Sequence, residues 1–146
     1  MTITVAGRML AALALVVGLG GCASMSTKSV FDQLGGMDQI RALSDSFVNN
    51  VASDSRTSSL VSGSNLSSMK SKLSDQLCAM AGGSCSAPLS SAQIADAGKK
   101  VSPSTSSALT DNFGRALDSI KANPVMKETV TKTMGPQLGG IVAGLL

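Results

Sequence analysis

From about residue 29 to the end of the chain, apolar residues recur every three to four positions. That is the period of helices with one buried face. Ser29 followed by Asp32 marks a helix start, with Val30, Phe31 and Leu34 apolar. Gly35-Gly36 breaks this short element. From Asp38, the residues Ile40, Leu43, Phe47 and Val51 predict a second helix ending near Ser53. Asp54 to Ser64 is Ser-rich and reads as a loop, or a weak turn of helix around Leu60-Val61. Asn65 can cap a third helix carrying Leu66, Met69, Leu73, Leu77 and Met80, which Gly82-Gly83 ends. Ser84 to Pro103 is the least patterned stretch. Ser104 is the expected cap of a fourth helix with Leu109, Phe113, Ala116, Leu117 and Ile120. Asn123-Pro124 starts a last helix bearing Val130, Met134, Leu138, Ile141 and Val142, with Pro136 expected to kink it. No strand-type alternation competes, so the reading is an all-α domain of four main helices behind a short one.

The first 21 residues have a different character. Met1 to Arg8 holds one positive charge, and Met9 to Gly18 is an apolar run too short to span a bilayer. The run ends Leu19-Gly20-Gly21-Cys22. That tetrapeptide resembles the lipobox of bacterial lipoproteins, in which the Cys is lipidated and becomes the new N-terminus. The alternatives are an ordinary signal peptide with a chance Cys, or an uncleaved anchor. The expected organisation is therefore a signal peptide over 1–21, a lipidated Cys22 with a polar tether over 22–29, and a helical domain over 30–146. Ala23-Ser24 follows the Cys with no Asp behind it. In enteric-type sorting this favours the outer membrane over the inner one, with the domain facing the periplasm.

Composition narrows the picture further. The chain has no Trp, no Tyr, no His and three Phe, so its core must be built from Leu, Val, Ile, Met and Ala. The formal charge of +3 is too mild and too evenly spread to argue for nucleic acid.

Several motifs together resemble the truncated haemoglobins, in a form close to the group I bacterial globins. Ser29 to Leu43 (SVFDQLGGMDQIRAL) is similar to the family's N-terminal signature, with its aromatic residue, L-G-G and following helix. Phe47-Val48 stands where the family usually has Phe-Tyr, and Ala52 to Arg56 (ASDSR) resembles its A-D-P-R loop. Leu77 to Cys85 (LCAMAGGSC) resembles the end of its third helix in the branch with a Cys on each side of the Gly-Gly. Ala116-Leu117, Gly135-Pro136 and Ile141-Val142 fit its last helices. The resemblance spans residues 29 to 142. It implies a two-over-two helical sandwich that holds haem, through one proximal His after the Gly-Gly turn, and binds oxygen or nitric oxide.

The site residues depart from that pattern. Gap-free counting puts Asp96, in the segment QIADAGKKVSP, at the proximal ligand position; a two-residue shift would put Gly98 there. Val48 replaces the distal Tyr, and Leu73 stands about where a polar Gln is common. Haem iron in proteins is held by His, Cys thiolate, Met with His, or Tyr. This chain lacks two of those types, and no C-x-x-C-H attachment motif occurs. Met69 and Met80 are soft donors, but Met at helical spacing is usually core filler. Haem could still be held by shape, since burying a large apolar ring is favourable.

Cys78 and Cys85, seven apart across Gly82-Gly83, read as a disulfide in an oxidising envelope once Cys22 is lipidated. The alternatives are a redox pair, which favours C-x-x-C spacing, or half a metal site, which would need two further ligands. Ser-His-Asp and Cys-His catalysis are excluded by the absence of His. Ser67-Ser-Met-Lys70 matches S-x-x-K, but neither companion motif of the penicillin-recognising enzymes is present. Lys99-Lys100 reads as a solvated pair.

The expectation is a non-enzymatic, lipid-anchored envelope protein whose globin-like domain lacks conventional haem ligation. It would serve as a binding or structural module toward a protein or an apolar ligand. The alternative is a haem protein binding oxygen or nitric oxide through non-His ligation.

Overall fold

In this computed structural model, which describes residues 28–146, five of the eight α-helices start on a side chain that takes up a free backbone N–H. Ser29 Oγ accepts from Asp32 N and opens α1 (Val30–Leu34). Gly35 and Gly36, both at positive φ, turn the chain into α2 (Met37–Ser53). A single turn, α3 (Ser58–Val61), follows. Asn65 accepts from Ser68 N and opens α4 (Leu66–Met80). Then come α5 (Ser91–Gly98), α6 (Pro103–Ser119) and α7 (Pro124–Met134), the last capped by Asn123. A 3-10 turn over Gly135–Gln137 leads into α8 (Leu138–Leu145). The expected signal segment, Cys22 and most of the expected tether lie outside the described residues.

Three expectations change. The cap of α6 is Ser102, not Ser104: its hydroxyl accepts from Thr105 N, and Pro103 takes the first helical position, where no N–H is needed. The stretch 84–103 contains a true helix, α5, held by a reciprocal Ser90–Gln93 capping box. Of the two readings of residues 54–64, the turn of helix around Leu60-Val61 is the one found, as α3. Pro136 does more than kink the last helix: it divides it into α7 and α8 with the 3-10 turn between them.

Among the described residues there is no strand, so the domain is all-α as expected. α2 packs between α4 and α6, while α8 packs on α4, α5 and α6. The buried faces meet in one cluster that includes Phe47, Leu73, Leu77, Phe113, Leu117 and Ile141. The Phe47 and Phe113 rings meet edge to face, with centroids 5.4 Å apart. Such a pair adds about 0.5–1.5 kcal/mol beyond its buried area.

The loop after α2 ties that helix to α6. Asn50 donates to the Asn112 carbonyl at 3.1 Å. Asn112 donates in turn to Asp54 Oδ2 at 3.1 Å and to Thr57 Oγ1 at 3.3 Å. Arg56 grips Asp54 through Nε and Nη2 and reaches Asp111 on α6 at 3.1 Å. The Arg56 side chain and backbone N–H together hold the Asp54 carboxyl well below its ordinary range. The two carboxylates raise Arg56 further above its own. Among the described residues no helix is long and apolar enough to cross a membrane.

Candidate functional site

α5 sits directly on α8. Its inward residue is Ile94, which is buried against Gly140. A Cβ at position 140 would overlap the Ile94 carbonyl, so only glycine allows this approach. Gly98, one turn further along α5, lies over Gly140 as well, its own Cβ position 3.6 Å from the Gly140 Cα. Leu89, just before α5, packs where a side chain at Gly144 would stand. The two helices therefore meet backbone to backbone along a glycine seam.

Asp96 lies on the outer face of α5. Its side chain is 74% exposed and pairs with Lys99 at 2.9 Å. Val48 and Leu73 are both fully buried members of the central cluster. Met69 is buried in that cluster too, while Met80 is half-buried at the end of α4. The structure thus brings Val48, Leu73 and Met69 together in the core and leaves Asp96 facing solvent.

Cys78 and Cys85 are joined by a disulfide with a Cα–Cα separation of 5.8 Å. The turn it closes is tight. A Cβ at Gly83 would lie 2.6 Å from Cys78 Sγ and 2.8 Å from the Phe31 ring. Phe31 N–H also donates to the Ala81 carbonyl at 2.9 Å, so α1, the end of α4 and the disulfide form one clasp.

Two adjoining hollows flank α5. One, of about 430 Å³, lies between the end of α4 and the start of α5 and is lined by Gln76, Ala79, Met80, Leu89 and Ile94 among others. The second, of about 420 Å³, runs along α5 past Ala95, Gly98, Pro136 and Gly140. They share Ser91, Ile94 and Gln137. Both lie open to solvent. Gln76 was not legible as a site residue. Its sequence signal is an amide between Leu73 and Leu77 on an apolar helix face, and its partner, the Leu89 N–H, comes thirteen residues later.

This helix order, with its double-glycine turns and a short helix seated on the last one, has relatives. A family model for the bacterial-like globins matches residues 29–138. The chain belongs to the bacterial-like globin family. Among solved structures, truncated haemoglobin from Tetrahymena pyriformis in the Fe(III) form superposes with a TM-score of 0.66 at 17% identity, covering 73% of this chain and 92% of that one. The 2/2 haemoglobin from Synechococcus sp. PCC 7002, in the cyanomet state and with covalently attached haem, gives a TM-score of 0.67 at 17% identity, over 79% of this chain and 98% of that one. No curated protein matches the chain.

In globin terms, α2, α4, α6 and α7–α8 make the truncated two-over-two sandwich, and α5 is the short helix that follows the double-glycine turn. Of the side chains that hold haem iron, this globin has only Cys and Met. Cys78 and Cys85 are bonded to each other. The described residues contain no cluster of three or more His, Cys, Asp or Glu able to hold a metal ion.

Proposed function

We propose that this chain is a lipid-anchored envelope protein whose globin domain works without conventional haem ligation, as a binding or structural module. The observation that carries the reading is the seat of α5. A proximal ligand would have to project from this helix toward the interior, and the residue that does so is Ile94, pressed onto Gly140. Asp96 points the other way and is engaged with Lys99. The space facing α4 and α6 is occupied by Leu73, Leu77, Leu109 and the Phe47–Phe113 pair, all fully buried. A packed interior of this kind has no room for a large ring without displacing side chains. The residues present do not fit haem.

The lipobox-like Leu19-Gly-Gly-Cys22 supports attachment to the membrane through a lipid on Cys22, on the periplasmic face and at the outer membrane. No nucleophile, base and orienting group converge among the described side chains, which supports a non-catalytic role. The partner on this reading is a protein or an apolar ligand.

Titration of the purified full-length chain with hemin tests the proposal. The expected outcome is a broad, weak absorbance that does not respond to Met69→Leu, Met80→Leu or Asp96→Asn. A sharp Soret band that weakens in any of these variants would establish the alternative, a haem protein with non-His ligation.

A further inference from the structure

Val125, on the first turn of α7, is 74% exposed, and Pro124 beside it is exposed too. A lone apolar side chain in water is ordinary. The turn that presents this one is unusual. α6 ends in a Schellman motif, with Lys121 N–H donating to the Asp118 carbonyl and Ala122 N–H to the Leu117 carbonyl, both at 3.0 Å. The residue just past the cap is left-handed in that motif and is commonly glycine. α4 ends in the same way and has Gly82 there. α6 has Lys121, at φ 58°, the one non-glycine residue at positive φ among the described residues. A side chain is strained in that conformation, so a lysine at this tip is held at a cost to the fold. Ala122 packs against the core and Asn123 caps α7, which fixes Lys121, Pro124 and Val125 on one tip.

The tip stands at the end of the domain from which the N-terminal segment leaves. Ser46 of α2 meets Ser119 of α6, Oγ to Oγ, at 2.7 Å, and Asn50 donates to the Asn112 carbonyl. The two helices are therefore antiparallel, and the turn after α6 lies toward the first half of α2. α1 enters at that half and packs on both α2 and α7. Only residues 23–27 separate Lys28 from Cys22. Fully extended, that stretch reaches about 22 Å, less than the roughly 25 Å length of α2. A domain tied to a bilayer by a lipid on Cys22 is thus held against it at this end. The charges there suit phosphate. Asp118 is paired with Lys127 at 2.8 Å, Asp38 with Arg41 at 3.9 Å, and Asp32 accepts from the Ser29 hydroxyl. Lys28 and Lys121 have no carboxylate partner among the described residues. We propose that the α6–α7 tip is a membrane contact, with Pro124 and Val125 at the boundary of headgroups and acyl chains and Lys121 on the phosphate of an anionic phospholipid. This inference rests on the proposed lipid on Cys22 and names the face that the lipid brings to the bilayer.

The chain has no Trp, so Val125→Trp introduces a single fluorescent reporter. The full chain is expressed in a bacterium, recovered from its envelope and reconstituted in vesicles of phosphatidylethanolamine with a minority of phosphatidylglycerol. Emission from position 125 should be blue-shifted and quenched by brominated acyl chains. The same reporter placed by Ser104→Trp, exposed at the opposite end of α6, should stay water-like and unquenched. Adding Lys121→Gly to Val125→Trp relieves the strained turn and removes the cation. It should at least halve the quenching, with Tm equal to or above that of Val125→Trp alone. A water-like spectrum at position 125 overturns the proposal, as does equal quenching at positions 125 and 104, or quenching that Lys121→Gly leaves unchanged. The mass of the N-terminal peptide separates the two readings. Without an acyl group on Cys22 both fall; with one, and a water-like spectrum at position 125, the membrane contact alone falls.

Discussion

Gly140→Ala adds one methyl group where α8 passes under α5. On the observed backbone that methyl overlaps the Ile94 carbonyl oxygen and lies 2.8 Å from the carbonyl carbon and 2.9 Å from Ile94 Cγ2. A carbonyl inside a helix cannot rotate aside as a side chain can, so the two helices must part. Parting them lifts Ile94 out of its buried position and separates Gly98 from Gly140. Overpacking typically costs about 1–3 kcal/mol, and a clash with backbone belongs at the upper end. Alanine recovers up to about 1 kcal/mol of helix propensity. The net expectation is a loss of about 1–2 kcal/mol, or a fall in Tm of about 4–8 °C for a domain of this size. Gly114→Ala is the control. It lies inside α6, and the nearest atom to its new methyl is Lys127 Cε at an ordinary 3.5 Å. Helix propensity should then act alone and raise Tm by about 2–4 °C. Thermal melting followed by far-ultraviolet circular dichroism measures both. If Gly140→Ala melts at or above the parent, α5 is not seated on α8 through this seam.

Two further outcomes follow from the clasp and from the α2–α6 tie. Reducing the Cys78–Cys85 disulfide, or replacing Cys85 by Ser, should lower stability by about 2.5 kcal/mol, the chain-entropy value for so short a loop; equal melting of oxidised and reduced protein would rule the staple out. Arg56 depresses the Asp54 carboxyl below its ordinary 3.8, so the folded state holds that proton less tightly than the unfolded one. Its contribution is therefore present above about pH 4 and is lost as pH falls further. Tm should drop on acidification from pH 4 toward 2, and less steeply in Asp54→Asn; parallel profiles in the two proteins would remove Asp54 as a cause.

Helix order and most helix starts were legible because they depend on local chemistry. Ser29, Asn65 and Asn123 accept from the N–H groups their positions imply. The cap of α6 was misread as Ser104, because Pro103, whose ring fits a first helical position, leaves the cap to Ser102. α5 carried almost no period, because a single large side chain, Ile94, faces inward from its eight residues. The rest of its packing is glycine against glycine, which leaves no hydrophobic mark in a sequence. The candidate site was legible only in what it lacked. The absence of His and Tyr is plain in the composition. The outward aim of Asp96 and the bond from Leu89 N–H to Gln76 depend on which way α5 and its leading loop come to rest. Those are tertiary facts, set by residues far apart in the chain.

The clasp of Phe31 on Ala81 and Gly83 also has a bearing on the order in which the chain can take shape. α1 has five residues, too few to hold a helix by themselves in water. Its partners lie about fifty residues downstream, so the clasp joins only after a long loop of chain has closed. The first helix of the domain in sequence is thus among the later ones to settle in time, and it waits on the same turn that the two cysteines close.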